Sequence, residues 1–227
     1  MAYQFDFLAV FDYGDMLLKG AAFTLAMTAV GAVVGTAIGI AGGMCRAWKL
    51  HPLDWLFGAY VELIRNTPFL VQLLFIFFGL PSLGVQISEW QASFLAVVVN
   101  LGAYTTEIIR AGIQATPRGQ IEAAQSLAMG RLQIFFHVVL RPALQKVWPA
   151  LSSQIVIVML GSAVCSQIAA EDLTFAANFI QSRNFRAFET YLVVTAMYFA
   201  MAWMVRYALN VFGRRVIVAR KPQTRGA

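Results

Sequence analysis

Charge is scarce in this chain: 12% of its 227 residues are Asp, Glu, Lys or Arg, and 59% are apolar. An ordinary soluble domain has about 25% charged residues, so the apolar excess is too large for one water-soluble core. The shortage excludes a soluble enzyme and a disordered chain. Cysteine is scarcer still, with only Cys45 and Cys165, both in or at the edge of apolar runs. That excludes a secreted disulfide scaffold and favours small packing residues over a disulfide or a metal site. No basic residue precedes Lys19, while Asp6, Asp12 and Asp15 do, so the pattern of a cleavable signal peptide is missing and the first apolar run is expected to be retained. A Gly-x-x-x-x-Gly-Lys-[Ser/Thr] phosphate cradle is absent too, and no catalytic group stands out.

What is present is a series of charge-free windows, 20–45, 66–88, 90–106, 147–170 and 190–205. A helix rises 1.5 Å per residue, so about 20 residues cross about 30 Å of hydrocarbon. The expectation is an all-α integral membrane protein, a single transmembrane domain over 1–227 with spans at 17–45, 53–80, 90–110, 146–169 and 189–213. Twelve of the seventeen basic residues fall after span one, between spans three and four, or in the tail. Basic residues stay on the cytoplasmic side during insertion, which places the N-terminus outside and the C-terminus inside. Spread over these connections, the net charge of +6 reads as topology rather than as a nucleic-acid surface. The basic tail 214–225 is expected to anchor on lipid phosphates.

Within span one, Gly31, Gly35, Gly39 and Gly43 repeat every four residues, a spacing that lets a second helix approach closely. Pro68 and Pro149 each remove a backbone donor and mark expected kinks, tolerable in lipid only where a neighbour satisfies the freed carbonyl. Between spans three and four, the segment 111–145 is longer than a simple turn. Thr116 and Pro117 read as N-cap and first helical position, Gly130 as a left-handed helix end, and 131–140 as a second short amphipathic helix stopping near Pro142. The expected element is a cytoplasmic helix-turn-helix. Leu132, Phe135, Phe136 and Val139 form an apolar stripe that also suits a hairpin lying on lipid headgroups.

These residues carry a resemblance. Glu122-Ala123-Ala124, with Gly130 six residues beyond and Leu140 and Pro142 after it, resembles the EAA loop of bacterial ABC importer permeases. The run from Arg65 through Asn66, Thr67, Pro68 and Phe69 to Gln72 is similar to the polar amino-acid uptake branch. So is Tyr104-Thr105-Thr106-Glu107 leading through Arg110 to Gly119 and Glu122. The resemblance implies a permease subunit that pairs with a second permease, identical or homologous. It also implies two cytoplasmic ATP-binding subunits, an extracytoplasmic solute-binding protein and a place in the bacterial inner membrane. ATP and magnesium would be held by the partner ATPase, with no cofactor in this chain. Gly119, Glu122, Ala123, Ala124 and Gly130 would then couple to the ATPase, the alanines keeping one side thin enough to enter a cleft and Glu122 pairing with a basic group there.

Ionisable groups at membrane depth are costly and mark functional candidates unless they neutralise one another. Glu62 with Arg65, and Glu107 with Arg110, stand at helical i, i+3 spacing and form candidate internal pairs. Glu107 is equally a candidate for meeting a substrate ammonium beside the path that the resemblance implies. Arg65, Thr67, Pro68, Gln72, Asn100, Tyr104, Glu107, Gly161 and Ser162 are the substrate-path candidates, with Gln154, Ser166 and Gln167 as further polar groups that serve equally to join helices. Many members of the family resemble Lys-Asp-Thr/Ser-Ser-Leu where this chain reads Leu160-Gly161-Ser162-Ala163-Val164, so an acidic anchor is missing at Gly161. The segment 170–189, with Glu171, Asp172, Arg183, Arg186 and Glu189, reads as a mixed-charge outer surface, either a docking face or a solvated loop. An ion-driven secondary transporter or channel is the rival class; it predicts repeats or a dense intramembrane charge network, and the two halves show no convincing repeat.

Overall fold

The computed structural model describes residues 5–217, and among them all regular structure is helical. After a single turn at Leu8–Phe11, the helices are α1 (Gly14–Ala47), α2 (Leu53–Arg65), α3 (Phe69–Ser82), α4 (Glu89–Gln114), α5 (Arg118–Ser126), α6 (Arg131–Ile168), α7 (Leu173–Asn184) and α8 (Ala187–Ile217). Four of them, α1, α4, α6 and α8, are long and apolar enough to cross a bilayer.

The fold is built on the contact between α1 and α4, its most extensive helix pairing. A Cβ placed on Gly31 would meet Val97 at 2.6 Å, on Gly35 Leu101 at 3.1 Å, and on Gly43 Ile109 at 2.7 Å; on Gly39 it would overlap Thr105. Both series advance by four, so the two helices run parallel with one glycine per turn at the seam. Thr105 Oγ1 donates to the Gly35 carbonyl at 2.9 Å, a cross-helix bond that only such a close approach permits. The helix widens to a π-type turn over Gly31–Gly35.

Parallel α1 and α4 require the chain to return between them. It does so through α2 and α3, whose axes are bent by 109°. Val61 and Ile64 pack against Ala103, while Leu73 joins Ala92 and Ala96 nearer the start of α4. The two legs thus touch successive heights of α4 and together make the crossing. The kink expected at Pro68 within 53–80 is a full break: Pro68 sits at extended backbone (ψ 141°) and does not continue α2.

Other expectations change as well. Helix α6 starts at Arg131 and runs without interruption to Ile168, so the second helix of the expected hairpin is the first part of a span and the connection shrinks from 111–145 to 115–130. Pro142 does not stop it: the carbonyl four residues earlier, at Val138, lies in a π-type turn over Phe135–Val139. That turn also splits the apolar stripe, burying Phe135 and Val139 while Leu132 and Phe136 stay exposed. Pro149 lies inside the same continuous helix. Pro117 is the N-cap of α5 rather than its first residue, and the Thr116 hydroxyl caps nothing. The left-handed residue after α5 is Ala128 (φ 55°), whereas Gly130 is extended and caps α6.

At the end where α1 begins, the segment 170–189 contains α7 rather than forming an open solvated loop. Glu171 and Arg183 are exposed, but Asp172 and Glu189 are buried, and Glu189 pairs with Arg186 at 3.5 Å. Asp172 caps α7 by accepting from the Phe175 N–H at 2.7 Å, and its second oxygen is buried without a partner. Gly20 admits this corner, since a Cβ there would stand 2.7 Å from the Asp172 carbonyl oxygen. The cysteines are both free and buried, as small core residues. Of the basic tail, Arg220, Lys221 and Arg225 lie outside the described residues.

Two predictions follow from packing and charge. Gly39→Ala forces α1 off the Thr105 backbone and is expected to cost on the order of 1–3 kcal/mol, whereas Gly14→Ala, with open space, leaves the thermal midpoint of the purified protein unchanged. Burial pushes the Asp172 carboxyl up to about 7 against two opposing backbone hydrogen bonds. A raised carboxyl favours the fold while protonated, so its stabilisation is complete below about pH 4 and is lost as pH rises through about 7. Midpoints measured from pH 4 to 8 are expected to fall more steeply in the wild type than in Asp172→Asn.

Candidate functional site

The break in the α2–α3 crossing is held by one amide. Removing the N–H of Pro68 frees the carbonyl of Ile64, and Gln72 Nε2 donates to it at 2.7 Å and to the Thr67 carbonyl at 2.9 Å. Thr67 Oγ1 donates in turn to the Leu63 carbonyl at 2.8 Å. Asn100 Nδ2 on α4 donates to Gln72 Oε1 at 2.9 Å and fixes the amide's orientation. The carbonyls of Leu63, Ile64 and Thr67 at the bend therefore find side-chain donors inside the protein, as hydrocarbon requires.

Beside the break lies a cavity of about 470 Å³ lined by Thr67, Pro68 and Phe69, by Asn100 and Tyr104 on α4, and by Gln154, Ile157, Val158 and Gly161 on α6. A second, of about 270 Å³, is lined by Glu62, Arg65, Asn66 and Tyr104. Tyr104 is a wall of both. It stands ten residues before the end of α4, about 15 Å along the axis of a helix long and apolar enough to cross a bilayer.

Of the nine path candidates, Thr67, Pro68, Asn100, Tyr104 and Gly161 line the larger cavity, and Arg65 lines the smaller one. Gln72 supports the wall from behind. Ser162 is buried and donates to the Met159 carbonyl at 2.7 Å, away from the cavity. Glu107 is drawn into a clamp: it accepts from Arg110 at 2.9 Å and pairs with Arg46 at the end of α1. That favours its structural reading. The expected Glu62–Arg65 pair is not formed. Asn66 Nδ2 donates to Glu62 at 3.0 Å, and the Arg65 guanidinium lies over the Tyr104 ring, 5.5 Å from its centroid. Sequence reasoning missed Phe69, Ile157 and Val158. Gln154, Ile157, Val158 and Gly161 fall at i, i+3, i+4 and i+7, so the helical period was the signal that could have found the last two.

At the opposite end of α4, α5 presents Glu122 and Ala123 outward with Gly119 in open space. Ala124 does not join them: it is buried against Ile109, Ile113, Ile134 and Phe135. The thin-faced alanine pair is thus corrected to one outward alanine and one packed into this chain's own core. Leu127, 78% exposed, is the large apolar side chain at the tip, and Gly130 N–H donates to Gln133 Oε1 at 2.9 Å to begin α6.

Residues 31–218 match the family described as the inner membrane component of binding-protein-dependent transport systems. The chain is 31% identical over 207 residues to the probable glutamine ABC transporter permease protein GlnM of Bacillus subtilis, covering 91% of this chain and 96% of that one. It is 29% identical to the glutamine transport system permease protein GlnP of Escherichia coli, covering 94% and 98%. Among solved structures, an amino acid ABC transporter crystallised with histidines superposes with a TM-score of 0.83 at 36% identity, over 94% of this chain and 100% of that one. The inward-facing methionine transporter MetNI, at 22% identity and a TM-score of 0.77 over 92% and 99%, shares the fold. With nearly its whole length matched and a broken-helix cavity inside a multi-span bundle, this chain belongs to the family of ABC importer permeases, membrane subunits rather than enzymes.

Proposed function

We infer that the chain forms the membrane passage of an ATP-driven importer for polar amino acids in the bacterial inner membrane. The carrying observation is the cavity of about 470 Å³ walled by amides, a hydroxyl and Tyr104 beside a stabilised break in a span. Its size and mixed polar and apolar lining suit a solute of amino-acid dimensions. The relatives named for glutamine and the structure named for an amino acid transporter support the same substrate class.

In this reading the N-terminus is outside and the C-terminus inside. Arg46, Arg110, Arg118, Arg131, Arg141, Lys146, Arg214 and Arg215 gather at the end of the bundle that carries α5, which the positive-inside rule makes cytoplasmic. A second permease completes the passage, and two ATP-binding subunits holding ATP and magnesium engage α5. An extracytoplasmic solute-binding protein delivers the substrate at the α7 end, and basic tail residues rest on anionic lipid. Closure of the ATPases would move α5 and shift the bundle between inward-open and outward-open states.

The reading is tested by rebuilding the complex in vesicles and measuring uptake with and without ATP. Glu122→Lys and Leu127→Asp alter exposed groups of α5 and its tip, so both variants are expected to reach the membrane at wild-type abundance. Uptake should fall at least about tenfold, the size expected when a buried charged or apolar contact in an interface is lost, while solute binding by the external protein is unchanged. Wild-type uptake by both variants rejects the coupling role, and ATP-independent uptake rejects the importer.

A further inference from the structure

Glu62 and Arg65 are exposed in this chain, yet the cavity they line shares Tyr104 with a wall at membrane depth. Charges at that depth cannot face hydrocarbon, so this side faces an aqueous passage or another polypeptide. They stand three residues apart on α2, where a carboxylate and a guanidinium ordinarily meet. Here they are kept apart. Asn66 holds the Glu62 carboxylate, and the face of Tyr104 holds the Arg65 guanidinium. Among the described residues no ion pair joins either to another side chain. Two opposite charges, separately supported and aimed into one cavity of about 270 Å³, make a receptor for a molecule carrying both signs on neighbouring atoms.

The adjoining cavity has a different character. Thr67, Asn100, Tyr104 and Gln154 supply neutral polar groups, Phe69, Ile157 and Val158 supply apolar walls, and no charged side chain lines it. An ion placed there would lose its hydration with no opposite charge to replace it. A neutral amide or hydroxyl would find partners.

We propose that Glu62 and Arg65 form a head-group site for a zwitterionic α-amino acid, Glu62 receiving the ammonium and Arg65 the carboxylate, with an uncharged polar side chain directed past Tyr104 into the neutral cavity. This rests on the amino-acid reading above and sharpens it to a substrate class and two binding residues. It also explains why Asn66 and Tyr104 stand where they do: each prevents the two charges from neutralising one another before substrate arrives.

The test uses the whole permease–ATPase complex without the external binding protein, so that binding reports on the membrane site. L-Glutamine, its decarboxylated analogue 4-aminobutanamide and its deaminated analogue glutaramic acid are titrated against the unaltered complex and against Arg65→Gln, Arg65→Lys and Glu62→Gln. Arg65→Gln should weaken L-glutamine and glutaramic acid at least about tenfold, the scale of a lost charge-assisted hydrogen bond, and leave 4-aminobutanamide unchanged. Glu62→Gln should weaken L-glutamine and 4-aminobutanamide and spare glutaramic acid, and Arg65→Lys should retain most of the affinity. L-Arginine and L-glutamate should bind the unaltered complex more weakly than L-glutamine. Equal losses for all three ligands, as expected if these charges merely hold a partner subunit, overturn the proposal; so does unchanged binding in the variants, or no L-glutamine binding to the unaltered complex. ATP-dependent uptake of amino acids by the unaltered complex in vesicles, measured alongside, separates the two failures: with uptake intact only this site is rejected, and without it the amino-acid reading falls as well.

Discussion

Hydrocarbon offers no partner for a backbone carbonyl, and that constraint decides what this chain can do at the middle of the bilayer. A span may be broken there only where the protein supplies the missing donors. The side chain of Gln72 does so for Ile64 and Thr67, and Asn100 holds Gln72. The same residues that make the break tolerable also bring Thr67, Pro68 and Asn100 to the cavity wall. Stability of the bend and the existence of a polar hollow inside the membrane are therefore one problem with one solution. The bend turns α3 by 109° away from α2 and leaves space that a straight helix would fill.

A hollow is useful only if its walls are stiff, and the glycine seam provides the stiffness. Four successive turns of α1 lie against α4 so closely that side chains other than hydrogen would collide with Val97, Leu101, Thr105 or Ile109. Without a hydrophobic force between helices in lipid, close van der Waals packing over many atoms and the Thr105–Gly35 hydrogen bond are what hold the pair. The clamp of Glu107 with Arg46 and Arg110 ties the same two helices at their shared end. Tyr104 and Asn100 are thus mounted on the most constrained element of the fold.

The spans were legible because they rest on composition and on a period, both local. The glycine repeat announced a seam but not its partner, since nothing local marks the four-residue series Val97, Leu101, Thr105, Ile109 as the opposing face. Pro68 announced a break, and its neighbour Gln72 stood four residues on, within reach of the freed carbonyl. What sequence could not deliver was competition among partners. Glu62 and Arg65 have ideal spacing for a pair, yet Asn66 and the Tyr104 ring, one of them on another helix, take them instead. The hairpin failed for a similar reason. Pro142 and Gly130 are strong local stop signals, but a π-type turn before the proline lets α6 run on, and burial of Ala124 against Phe135 and Ile109 fixes the turn at Ala128.

The unbroken α6 changes how force would travel. A separate cytoplasmic hairpin would join the bundle through two flexible links, and its motion would be lost in them. Here α5 is flanked by the last turn of α4 on one side and the first turn of α6 on the other, with Ala124 packed into both. Both long helices then run, without a gap, to the cavity: α4 brings Tyr104 and Asn100, and α6 brings Gln154, Ile157, Val158 and Gly161. Continuous helix thus connects α5 to the two walls of the hollow, and α2, which bears Glu62 and Arg65, is joined to the α4 wall by Tyr60 donating to the Val99 carbonyl at 2.5 Å. The contact of α4 with α6 nearest α5 is at Gly112, where a Cβ would stand 2.8 Å from Val147 and 3.1 Å from the Ala143 carbonyl oxygen. A residue larger than glycine at 112 would force these two helices apart at that contact, so the spacing of the two walls depends on this small residue.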